Sequence, residues 1–130
     1  MPSVKQAIFI LDDDMTLRKL LTLQLEEEEF LVVHCGTIAE AVRLLANQKF
    51  NCILLDVNIR GTTTEKLLHA IRENRSGYNF ETPVIMLSGA LEQEFVKRVA
   101  RLIQGAVVKP FLFDTLLERV LEHCKPDTDS

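Results

Sequence analysis

The 130-residue chain predicts one α/β domain built on a doubly wound, five-stranded parallel sheet. Three observations point there. Five apolar runs of three to five residues alternate strictly with stretches whose apolar residues recur at helical spacing, as in successive βα units. Cys52-Ile53-Leu54-Leu55 is continuously apolar, which suits a strand buried on both faces of a parallel sheet. The length is enough for one core that buries roughly two-thirds of the unfolded surface.

Ala7-Ile8-Phe9-Ile10-Leu11 forms the first strand and ends in Asp12-Asp13-Asp14. Leu17, Leu20, Leu21 and Leu25 recur at helical spacing, so a helix runs from Met15 to about Glu28. Leu31 to Cys35 is the second strand. Thr37 with Glu40 makes a capping-box pattern, opening a helix that buries Ile38, Ala41, Val42 and Leu45. Cys52 to Leu55 is the third strand and delivers Asp56. Thr64 to about Asn74 is a third helix with Leu67, Leu68 and Ile71 inward. After a polar loop, Pro83 to Leu87 forms the fourth strand, ending in Ser88-Gly89. A helix from Leu91 to Gln104 buries Phe95, Val99, Leu102 and Ile103. Ala106 to Val108 is a short fifth strand ending in Lys109-Pro110. Leu112 to about His123 closes the chain, with Phe113, Leu116, Leu117 and Val120 inward. The domain is expected to span residues 1–124, with a polar tail over 125–130. Right-handed crossovers leave few topologies, and for (βα)5 the flavodoxin-like order 2-1-3-4-5 is expected. It sets the first and third strands side by side at the switch point.

Composition narrows the function. A net charge of −4 argues against nonspecific nucleic-acid binding. Glu26 to Glu29 read as a solvated helix end. Cys35, Cys52 and Cys124 are odd in number and lack CxxC spacing, which suits a reduced interior rather than a disulfide framework. His34, His69 and His123 are scattered without zinc-ligand spacing. No run approaches a membrane span or a signal-peptide core, so a cytoplasmic protein with no membrane association is expected.

The chemistry lies at the strand ends. In open α/β sheets, ligands bind just outside the carboxyl ends of the strands. Strand one ends in Asp12-Asp13, strand three in Asp56, strand four in Ser88 and strand five in Lys109. Taken singly each has an ordinary reading: Asp13 or Asp14 as a helix cap, Ser88 as a turn residue, Lys109 as a surface lysine. Together they make a phosphoryl-transfer site. Crowded carboxylates are hard oxygen ligands that suit Mg2+, while a lysine and a hydroxyl suit phosphate oxygens. A carboxylate can itself be the nucleophile, forming an aspartyl phosphate.

With these residues in view, the chain from about Gln6 to Cys124 resembles the receiver domains of response regulators. The matching motifs are Ile10-Leu11-Asp12-Asp13-Asp14, Leu54-Leu55-Asp56-Val57-Asn58, Met86-Leu87-Ser88-Gly89-Ala90 and Val108-Lys109-Pro110-Phe111. The resemblance implies two-component or phosphorelay signalling, with Asp56 accepting phosphate from a histidine kinase or histidine phosphotransfer protein. It implies that Asp12 and Asp13 organise Mg2+ with Asp56 and the Asn58 backbone carbonyl. Ser88 and Lys109 would bind the phosphoryl oxygens, and the Lys109-Pro110 bond would be cis. Such a protein assists its own phosphotransfer and dephosphorylation but is not an enzyme; its output is contact with a downstream protein.

Three departures stand out. Arg60 occupies a position usually held by proline, and Thr64 one usually held by glycine. Both are expected to reshape the loop after strand three without touching the chemistry. Ala106 replaces the aromatic that usually reports phosphorylation to the face made by the fourth helix, fifth strand and fifth helix. An alternative also fits part of the chain: Asp12-x-Asp14-x-Thr16 resembles the first motif of haloacid-dehalogenase-type phosphatases. There Asp12 would be the nucleophile and Asp14 the general acid, but Asp56 would have no role. A flavodoxin-like FMN binder fits less well, because the acidic pair would repel a ligand phosphate.

Overall fold

The computed structural model describes residues 5–124, so the tail expected over 125–130 lies outside the described residues. In chain order the elements are β1 (Ala7–Leu11), α1 (Met15–Glu27), β2 (Leu31–Cys35), α2 (Ile38–Asn47) and β3 (Cys52–Asp56). A hairpin of β4 (Asn58–Ile59) and β5 (Thr62–Thr63) precedes α3 (Glu65–Glu73) and β6 (Val84–Ser88). Then come α4 (Gln93–Arg98), β7 (Gly105–Val108) and α5 (Phe113–Leu121). Five parallel strands form the sheet in the order β2-β1-β3-β6-β7. Counting sheet strands alone, that is the expected 2-1-3-4-5.

Period-two alternation sends each central strand's side chains into two cores. Phe9, Leu11, Ile53, Leu55, Val84 and Met86 face Ala41, Leu45, Leu68, Ile71 and Phe95 of α2, α3 and α4. Ile8, Ile10, Cys52, Leu54, Ile85, Leu87 and Val107 face Leu21, Leu25, Leu116 and Val120 of α1 and α5. Both layers are needed because the middle strands have no exposed face. Cys35, Cys52 and Cys124 are buried free thiols, as expected.

Three expectations need correction. Val42, expected on the inward face of the second helix, is 54% exposed, and Leu20, one of the residues at helical spacing in the first, is 50% exposed. Each lies beside its helix's buried stripe, which is Leu21–Leu25 in α1 and Ala41–Leu45 in α2. The helix expected from Leu91 to Gln104 is only the two turns of α4, flanked by 3₁₀ turns at Ala90–Glu92 and Ala100–Leu102. Phe95 and Val99 still bury, while Leu102 and Ile103 are only partly covered. The segment after Asp56, expected only to turn at Ile59, Arg60 and Gly61, pairs as the β4–β5 hairpin. Thr37 does cap α2: its hydroxyl accepts the Glu40 N–H at 3.2 Å and donates to the Glu40 carboxylate at 3.1 Å.

Candidate functional site

Sheet register places the charged residues at one level. Leu11 of β1 pairs with Leu55 of β3, so Asp12 and Asp56 leave adjacent strands side by side. Ser88 pairs with Val108, and the Lys109 N–H donates to the Ser88 carbonyl at 2.7 Å. Asp12 continues the row Ile8–Ile10, Asp56 the row Cys52–Leu54, and Lys109 follows Val107. All three rows face α1 and α5. Alternation that buries leucine and isoleucine therefore brings two carboxylates and an ammonium to the rim of that core.

There the lysine bridges the carboxylates. Lys109 Nζ donates to Asp12 Oδ2 at 2.8 Å and to Asp56 Oδ2 at 3.2 Å. Asp12 is fully buried; its other oxygen accepts the Asp14 N–H at 2.8 Å, and its backbone carbonyl accepts Arg18 Nη1 at 2.7 Å. Arg18 is itself steadied by donating from Nε to His34 Nδ1 at 3.0 Å. A Cβ at Gly36 would stand 2.6 Å from that guanidinium, so the residue must stay small for Arg18 to lie there. Burial, then the Asp12 charge, push the Asp56 carboxyl up to about 6 against the pull of Lys109. For Lys109, burial disfavours the charged form, but the bond to Asp12 and the Asp56 charge outweigh it, leaving the ammonium's pKa raised. The outcome is a carboxylate that is ionised at neutral pH but poorly solvated.

Asp12, Asp13 and Asp56 each offer a carboxylate oxygen, and these atoms lie within 4.8 Å of one another. Three carboxylates against one ammonium leave negative charge that a divalent cation would balance. The donors are hard oxygens, so the residues fit an Mg2+-type ion.

The other expected residues fall as follows. Asp14 is the α1 N-cap, its carboxylate accepting the Leu17 N–H at 3.1 Å. Ser88 is fully buried, and its hydroxyl accepts Gln93 Nε2 at 3.3 Å. Asn58 directs its N–H towards Asp56 Oδ1 at 3.5 Å, while its side-chain amide donates to Glu92 Oε2 at 3.2 Å. The Lys109-Pro110 bond is cis. Ala106 pairs with Met86 and packs half-buried against the α2–α4 core.

Four further residues, none of them expected at the site, adjoin it. The buried Thr64 hydroxyl donates to the Asp56 carbonyl at 2.8 Å, tying α3 to the residue that carries the carboxylate. The Arg60 N–H donates to Asp13 Oδ2 at 2.7 Å. Arg60 and Thr64, expected to leave the chemistry untouched, thus both reach the site. Glu92 accepts the Gly89 N–H at 2.7 Å besides holding Asn58, and Gln93 holds Ser88. A Glu three residues after Gly89 is a helix-start pattern that could have flagged Glu92. Nothing local flags Gln93.

Comparison with known proteins agrees with this geometry. The family described as "Response regulator receiver domain" matches residues 8–121. The chain is 33% identical over 107 residues to the transcriptional regulatory protein SrrA of Staphylococcus aureus, covering 80% of this chain and 42% of SrrA. It therefore spans less than half the length of the curated relatives it matches. Among solved structures, the chemotaxis response regulator CheY4 of Vibrio cholerae superposes with a TM-score of 0.82 at 25% identity, covering 93% of this chain and all of that one. The non-phosphorylated HemR receiver domain of Leptospira biflexa shares the fold, with a TM-score of 0.80 at 23% identity over 95% of this chain and all of that one.

Proposed function

From the chain's membership of the response regulator receiver domain family, we propose that Asp56 is its phosphoacceptor in a two-component or phosphorelay system. The observation that carries this reading is Lys109 bridging Asp12 and Asp56 at adjacent strand ends. A phosphatase that used Asp12 as nucleophile would need that carboxylate reachable, but Asp12 is fully buried and Asp14 is engaged as a helix cap. The family match leaves that alternative without support.

The Asp56 carboxylate attacks phosphorus of a phosphohistidine. The new O–P bond forms as the N–P bond breaks, and the imidazole leaves. Asp12, Asp13, Asp56 and the Asn58 carbonyl would hold Mg2+, which when bound supplies positive charge to the phosphoryl oxygens. Lys109 exchanges the Asp56 oxygen for a phosphoryl oxygen, as suits a point charge on a flexible stem. Ser88 donates its hydroxyl to a second phosphoryl oxygen. Thr64 keeps the Asp56 backbone fixed while the carboxyl is modified. No catalytic turnover of a released substrate is involved.

The donor is a histidine kinase or histidine phosphotransfer protein, and the receiver unit spans residues 1–124. The output is a change in contact with a downstream protein, without direct nucleic-acid or membrane binding by this unit. No helix among the described residues is long and apolar enough to cross a membrane, in keeping with a cytoplasmic site of action. The test is incubation with acetyl phosphate and Mg2+, followed by intact-mass measurement. One phosphate is expected on the wild type and none with the metal chelated or in Asp56→Asn. An undiminished adduct in Asp56→Asn would refute the assignment.

A further inference from the structure

The hairpin after Asp56 is fastened to the acidic cluster by a bond that depends on residue 60 not being proline. β4 and β5 are joined by Arg60 at φ 50° and Gly61 at φ 83°. A two-residue turn with both central residues left-handed is the type I′ connection, which suits the twist of a hairpin. Gly61 adopts it freely, but a residue with a Cβ is strained there. At Arg60 that conformation directs the N–H to Asp13 Oδ2, 2.7 Å away. The hairpin is anchored elsewhere as well, by Thr64 on the Asp56 carbonyl and by Asn58 on Glu92. The hairpin's other contact with a side chain of the carboxylate cluster is the long 3.5 Å approach of the Asn58 N–H to Asp56 Oδ1, whereas the Arg60 anchor falls on Asp13.

Asp13 needs such an anchor more than its neighbours do. Asp12 is buried and Asp56 nearly so, whereas Asp13 is exposed and its rotamers are not limited by packing. One N–H occupies one oxygen and leaves the other free for a cation. Proline offers no N–H and fixes φ near −65°, so at position 60 it would remove both the donor and the turn.

Building on the metal-binding reading above, we propose that the Arg60 backbone amide is a positioning group for Asp13. It holds the exposed carboxylate in the cluster, so that a divalent cation meets three oriented carboxylates instead of two and a mobile third. The positioning is done by the main chain; the guanidinium takes no part.

Mg2+ titration by calorimetry, without a phosphodonor, tests this in wild type, Arg60→Gly and Arg60→Pro. Both variants lack the guanidinium, so their difference isolates the amide and its turn. Arg60→Gly should bind Mg2+ at least as tightly as wild type. Arg60→Pro should bind about three- to tenfold more weakly, a smaller effect than outer-shell changes usually give, because Asp13 is one exposed ligand of three. In an Asp13→Ala background, which has no side-chain acceptor, the proline penalty should vanish, since the two changes act through one bond. Equal affinities for Arg60→Gly and Arg60→Pro, or a penalty that persists without Asp13, overturn the proposal alone. Absence of Mg2+ binding to wild type overturns the metal reading on which it rests. Should Arg60→Pro not fold, hydrogen exchange at the residue 60 amide decides: protection in wild type that is lost in Asp13→Ala, which has no side-chain acceptor, supports the bond, and equal exchange in both overturns it.

Discussion

Replacing Asp56 by asparagine should make the metal-free protein more stable at neutral pH. The Asp56 carboxyl is pushed from an ordinary value of 3.8 to about 6, by burial first and by Asp12 second. Holding it ionised at pH 7 therefore costs about 3 kcal/mol of folding stability. The folded protein binds this proton more tightly than the unfolded chain. Its contribution to stability thus falls as pH rises from about 4 to about 6 and stays flat above. Asparagine carries no charge, so its advantage is greatest above pH 6 and fades towards pH 4. That figure is already net of the pull of Lys109, 3.2 Å away. A stabilisation of about 3 kcal/mol corresponds to a rise in Tm of roughly 10–15 °C in a domain of this size. Thermal unfolding of both proteins in chelator, at pH 7.5 and at pH 4.5, is the assay. An asparagine variant less stable than wild type at pH 7.5, or a gain undiminished at pH 4.5, would refute the reasoning.

Further outcomes follow from the same geometry. Mg2+ should raise the Tm of wild type, since it binds only the folded site, and should raise it less in Asp13→Asn; equal responses would remove Asp13 from the ligand set. Lys109→Ala strips the counter-charge from two buried carboxylates and should cost about 2–4 kcal/mol without metal, somewhat less than a fully buried broken pair because Lys109 is 26% exposed. The same variant should keep Mg2+ binding, measured by calorimetry, while losing the amide shift changes that accompany phosphorylation. For Ala106, beryllofluoride should shift the amides of α4 and α5 less in wild type than in Ala106→Tyr, because a methyl group has no rotamers to exchange between two states. Wild-type shifts of equal size would defeat that expectation.

The middle of the sheet was legible because β1, β3 and β6 are buried on both faces, so apolar continuity alone marks Ile8–Leu11 and Cys52–Leu55. Periodicity then carried Asp12, Asp56 and Lys109 to one rim, which is why the charged centre could be read before any coordinates. Helix shoulders were not legible. The spacing of Leu20 and Val42 fits a stripe, but which flank of the stripe meets the sheet is set by docking against β-strands. The β4–β5 hairpin escaped notice because its strands are two residues long and its turn is Arg-Gly, a weak signal beside Asn-Gly. Contacts such as Asn58 with Glu92, 34 residues apart, leave no mark in local pattern.

The most direct measurement of the central claim is to trap the phosphorylated protein with borohydride and map the product by peptide mass spectrometry. Borohydride reduces an aspartyl phosphate to homoserine, so the modified residue is identified by position. Homoserine at position 56, formed only when phosphodonor and Mg2+ are both present, is the expected result. Homoserine at position 12 or 13 with Asp56 intact would contradict it.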